Sequence, residues 1–96
     1  MQLRPINGRR SQEVLADLSH EIGGFWKLLG RKLKVPNSKI DAIEGDNVQY
    51  LGLTEKSFQM LMAWLDQGES ATFDRLSKAL RALGKERLRK KYCGGL

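Results

Sequence analysis

The chain has 96 residues, 41% of them hydrophobic and 29% charged, with a formal net charge of +6. That suits one small globular domain with a single core and does not point to disorder. No run approaches the roughly 20 apolar residues needed to cross a bilayer, and no apolar stretch follows Arg4, Arg9 and Arg10 to make a secretory signal. The single cysteine, Cys93, cannot close an internal disulfide, which favours a reducing compartment and a cytoplasmic protein. The charge is uneven. Residues 75–91 carry eight basic side chains and one acid, Glu86, whereas the rest of the chain is nearly neutral.

The reading expects a flexible N-terminal segment over residues 1–10, a helical unit over 11–92 and a tail over 93–96. Apolar residues recur with a period near 3.6, and strand signals are poor. Ser11 caps a first helix whose Val14, Leu15, Leu18 and Ile22 share a face, with Asp17 and Glu21 opposite. Gly23-Gly24 ends it. A second helix over residues 25–33 places Trp26, Leu29 and Leu33 inward and Lys27, Arg31 and Lys32 outward. Gly30 inside it costs about 1 kcal/mol against alanine, which points to a close helix contact.

Pro36 blocks continuation, and Asn37 or Ser38 caps a third helix with Ile40 and Ile43 inward and Asp41 and Glu44 on its polar side. Residues 45–52 read as a loop, with Val48, Tyr50 and Leu51 packing partly on the core. The fourth helix starts near Thr54. Its stripe is Phe58, Leu61, Met62 and Leu65, widened by Trp64. Thr72 caps a fifth helix with Phe73, Leu76, Leu80 and Leu83 inward and Arg75, Lys78 and Arg81 outward, ended by Gly84. A last, basic helix over residues 85–92 has Leu88 and Tyr92 for packing. The expected architecture is an all-α, six-helix antiparallel bundle.

Chemistry is sparse. His20 and Cys93 stand far apart, no serine or carboxylate has a base partner at an informative spacing, and no phosphate loop or metal-ligand cluster is present. The reading is a non-enzyme without cofactor or metal. Residues 93–96 (Cys-Gly-Gly-Leu) only outline a prenylation box, since glycines stand where aliphatic residues belong.

At this point the residues resemble a known family. The run FWKLLGRKLKVPNSKIDAIE (residues 25–44) is similar to the second and third helices of death domains, with Trp26, Leu29, Arg31, Leu33, Ile40, Asp41, Ile43 and Glu44 in place. The run LTEKSFQMLMAWLDQGESATFDRLSKALRALG (residues 53–84) resembles the fourth and fifth, with Trp64, Ala71, Thr72, Leu76, Ala79 and Leu80. FADD-type adaptors and receptor-interacting kinases look nearest. Gly30, Pro36 and Phe25 depart from the pattern, and the last helix is unusually basic.

The resemblance implies a Greek-key bundle that binds other death domains in apoptotic or inflammatory signalling, with growth into helical oligomers. It implies a mixed face on helices two and three: Lys27, Arg31, Lys34, Lys39, Asp41 and Glu44. That face would meet an acidic one on helices one and four: Asp17, Glu21, Glu55, Asp66 and Glu69. Such a contact would fix register and need not close on two subunits. The alternative is binding of nucleic acid or an anionic membrane through residues 75–91, by Arg75, Lys78, Arg81, Arg87, Arg89, Lys90 and Lys91. No zinc spacing, groove-reading helix pattern or aromatic stacking platform supports it.

Overall fold

The computed structural model describes residues 9–49, 52–68 and 71–93, with side chains from residue 12 onward. The expectations for residues 1–8, Tyr50, Leu51, Glu69 and residues 94–96 lie outside the described residues, while Ser11 lies inside the first helix and is not its N-cap.

The described chain is all-α: α1 (Arg9–Ile22), a 3-10 turn (Gly23–Phe25), α2 (Trp26–Lys32), α3 (Asn37–Gly45), α4 (Leu53–Leu65), α5 (Phe73–Ala82) and α6 (Glu86–Cys93). Two ends differ from expectation. Helix α1 reaches back to Arg9, and α6 includes Cys93, which is buried and not part of a free tail. Phe25 belongs to the turn before α2. At α3 neither Asn37 nor Ser38 acts as cap. Pro36 holds the extended N-cap position (ψ 139°), and its carbonyl accepts from the N–H groups of Lys39 and Ile40 at 3.0 and 3.1 Å. Thr72 does cap α5, its hydroxyl accepting from the Arg75 N–H at 3.2 Å.

Helix α4 is the centre of the bundle and packs against α1, α2 and α3. Its buried residues are Ser57, Met60, Leu61 and Trp64, at i, i+3, i+4 and i+7, with Lys56 beside them. The expected stripe of Phe58, Leu61, Met62 and Leu65 is therefore rotated by one position. Phe58, Met62 and Leu65 are only partly buried. The reason is physical: both stripes fit the helical period, but only one puts the Trp64 indole in the core, and that side chain has the most area to remove from water. Around it lie Leu15, Leu18 and Ile22 of α1, Trp26 and Leu29 of α2, Ile40 of α3, and Leu76 and Leu80 of α5.

Gly30 is where α2 closes on this centre. A Cβ built there would stand 3.0 Å from Met60 Cγ and 3.2 Å from Ile40 Cδ1. Its missing side chain lets α2, α3 and α4 meet at one point.

Polar groups fix the joints. The buried Lys56 extends its ammonium to the end of α3 and donates to the carbonyls of Ile43, Glu44 and Asp46 at 3.0, 2.8 and 3.3 Å. These are carbonyls with no further helical turn to satisfy them, and the cation lies at the negative end of the helix dipole. Helices α2 and α5 end in the same geometry. In α5, Lys85 N–H bonds the Leu80 carbonyl at 2.8 Å and Gly84 N–H bonds that of Arg81 at 3.0 Å. In α2, Val35 N–H bonds the Gly30 carbonyl at 2.9 Å and Lys34 N–H bonds that of Arg31 at 3.1 Å. This is the Schellman motif, which needs a left-handed residue just past the helix. Gly84 (φ 74°) meets that need without steric penalty, but α2 has Lys34 there (φ 67°). A bond from Gln67 Nε2 to the Lys34 carbonyl, 3.0 Å, helps hold the turn.

Two outcomes follow for stability. Gly30→Val should lower the unfolding free energy by roughly 1–3 kcal/mol through overpacking, whereas Gly45→Ala, facing open space, should cost nothing in urea titrations. Lys34→Gly should raise stability by about 0.5–1 kcal/mol, since relief of the left-handed penalty exceeds the added freedom of the unfolded chain.

Candidate functional site

The residues expected to make contacts fall in three places. On the α2–α3 face, Arg31, Lys34, Lys39 and Asp41 are exposed. Lys27 and Glu44 join α2 to α3 by an ion pair of 2.5 Å, so they neutralise each other. The Lys27 bond holds the Glu44 carboxyl below the usual carboxylate range, with Lys56 and Arg31 adding to the effect. Arg31 and Asp41 have no ion-pair partner among the described residues. Lys34 and Lys39 on the same face are likewise without one.

The acids of α1 and α4 have different surroundings. Asp17 is exposed, and Glu55 is exposed with its carboxylate accepting from Gln59. Asp66 lines a hollow of about 260 Å³ between α3 and α4 together with Lys39, Ala42 and Met62. Lys39 and Asp66, expected on opposite surfaces, thus share one groove of the same molecule, because α3 packs directly on α4. Period along a single helix carries no information on that approach.

Glu21 has a different role again. Its carboxylate accepts from Arg87 at 3.2 Å, from Lys91 at 2.8 Å and from the Tyr92 hydroxyl, all on α6. These partners lie more than 60 residues away in sequence, so the cluster was invisible before folding. Lys91 and Tyr92, with Arg87, hold the Glu21 carboxyl down at about 2. Burial and the Glu21 contact push the Tyr92 hydroxyl up. Helix α6 brings few apolar groups to the core, chiefly Leu88 and Cys93 with Tyr92 packed beside them. Glu21 therefore acts as an electrostatic latch for a helix that hydrophobic burial holds only weakly.

The same pairing thins the basic segment. Arg89 grips Glu86 with two bonds of 2.9 and 2.8 Å, Arg81 approaches it at 3.5 Å, and Lys78 pairs with Asp74 at 3.2 Å. Lys85 lies over the Phe25 ring, 4.5 Å from its centroid. Of the expected patch, Arg75 and Lys90 keep no ion-pair partner among the described residues.

A bundle of short helices round two tryptophans, with charge spread over its surface, invites comparison with known families. A family model described as Death domain matches residues 10–92. The chain belongs to the death-domain family. It is also similar to THO complex subunit 1 of Mus musculus, with 34% identity over 82 residues, which cover 84% of this chain and 11% of that protein. The chain thus spans about a tenth of the length of that relative.

Membership makes this death domain a protein-interaction domain. Among the described residues, no group of three or more His, Cys, Asp and Glu side chains is placed to hold a metal ion, and no helix is long and apolar enough to cross a membrane. His20 is exposed. The Cys93 thiol is buried, and burial pushes it up to about 11. Sequence reading missed two residues that shape these surfaces, Lys56 and Gln67. Lys56 had one signal, a cation on the apolar side of its helix; Gln67 had none.

The latch predicts a pH dependence. A carboxyl lowered on folding contributes stability that is complete above its unfolded value, 4.5, and is lost as pH falls through about 2. In urea titrations at a series of pH values, Glu21→Gln should remove part of the wild-type decline across that window, with Glu44 and Glu86 supplying the rest of the paired-carboxylate contribution. It should also lower stability at neutral pH, where the paired carboxylate is charged.

Proposed function

We propose that this death domain is a non-catalytic homotypic module. It joins other death-domain proteins, and its own copies, into adaptor assemblies of apoptotic or inflammatory signalling in the cytoplasm. The observation that carries the reading is the pair of exposed, unpartnered opposite charges, Arg31 and Asp41, on the α2–α3 face of a member of the family. A face carrying both signs selects a partner with the reverse arrangement and repels mismatched ones. On the receiving side, Asp17 and Glu55 are the acids best placed to answer Arg31, since Glu21 serves α6 and Asp66 shares a groove with Lys39. The contact joins unlike surfaces, so it propagates into open chains of subunits and does not stop at a dimer. The THO complex relative is named as a subunit of a complex, which suits a docking role for the matching segment.

The alternative, nucleic acid or anionic membrane held by residues 75–91, has less support because Glu21, Glu86 and Asp74 pair with many of those cations. The two readings separate in one experiment. The double variant Arg31→Glu, Asp41→Arg should keep its circular dichroism and lose self-assembly or death-domain binding by at least about tenfold in sedimentation velocity. Unchanged assembly with intact helicity would sink the assignment of this face. Retention on immobilised duplex or anionic vesicles, falling steeply with salt, would favour the alternative.

A further inference from the structure

The fold assembles a second cationic site that no single segment contains. Where the end of α2 packs on α5, a groove of about 200 Å³ is rimmed by Lys32 and Lys34 from one side and Arg75 and Lys78 from the other. All four are exposed. Its floor is aliphatic: Leu33, Ala79 and Ala82. Asp74 pairs with Lys78, and Lys32, Lys34 and Arg75 have no ion-pair partner among the described residues. A second hollow of about 360 Å³ adjoins it across Lys34 and is lined by Arg31, Val35, Pro36 and Asn37. The Lys34 backbone turn is fixed by the Schellman bonds and by Gln67, so the strip keeps its shape.

We propose that the α2–α5 groove binds an acidic peptide segment of a partner protein, one apolar side chain seated over Ala79 and Ala82 and flanking carboxylates on Lys32, Lys34 and Arg75. Charge complementarity sets the sign of the ligand, because unpaired cations that close together repel one another until an anion arrives. The floor sets its class. Small aliphatic residues accept a leucine-sized side chain, whereas a single-stranded nucleic acid needs aromatic faces for its bases and none lines this groove. The site lies largely on α5 and shares only Lys34 with the hollow that Arg31 lines, so charge reversal at Arg31 and Asp41 leaves Lys32, Arg75 and the Ala79–Ala82 floor in place.

The test is an NMR titration of the isotope-labelled 96-residue chain with a glutamate-rich peptide carrying one central leucine. Shifts should concentrate on the amides of residues 32–34 and 75–82. Lys32→Glu with Arg75→Glu should weaken binding by at least about tenfold with the remaining spectrum unchanged, and replacing the leucine by serine should weaken it severalfold. The Arg31→Glu, Asp41→Arg variant should still bind, which keeps this result independent of the assembly face. Three results would overturn the proposal: no shifts at these amides, tighter binding of polyuridylate of equal charge, or the same shifts produced by raising protein concentration alone.

Discussion

The structure depends on how closely α2 can approach α4. With no side chain at Gly30, Met60 and Ile40 fill the space where three helices meet, 3.0 and 3.2 Å from where a Cβ would stand. That contact seats α2 so that Trp26 and Leu29 reach the core beside Trp64. A domain of this size has one core and little surplus stability, so a side chain at this point would push α2, α3 and α4 apart. The glycine costs helix propensity locally and returns it in packing.

Around that core, polar contacts do what apolar area cannot. Lys56 ends α3 from a neighbouring helix, and its three carbonyl bonds tie the α3–α4 joint in a fixed shape. Glu21 gathers Arg87, Lys91 and Tyr92 and so docks α6, whose packing on Leu88 and Cys93 alone is thin. Exposed ion pairs usually contribute little. Here several donors converge on one carboxylate, which holds it down at about 2 and ties α6 to α1. Cys93, the last residue of α6, is buried, and burial raises its thiol above the usual range.

These internal contacts decide which charges remain for partners. A chain with a net charge of +6 looks like a general polyanion binder, yet many cations of α5 and α6 answer acids of the same molecule. The charges without an ion-pair partner among the described residues include Arg31, Lys39 and Asp41 on the α2–α3 side, Lys32, Lys34 and Arg75 round the α2–α5 groove, and Lys90 on α6. They stand on a death domain, a module that works by being recognised.

The residue pattern by itself determined the all-α class, the main helices and most of the core, because helical period, Pro36 and the Thr72 cap are local signals that need no knowledge of neighbours. It also marked Gly30 as a contact point, from the cost of a glycine inside a helix. Tertiary structure decided the rest. The rotation of α4 by one position, the engagement of Glu21 with α6, the shared groove of Lys39 and Asp66, and the left-handed Lys34 all depend on approaches between segments distant in sequence. A periodic pattern states which side of a helix is apolar, but two neighbouring stripes on α4 are nearly equal on that measure. Only the packing of the Trp64 indole against the other helices separates them, and with it the surface on which each charge stands.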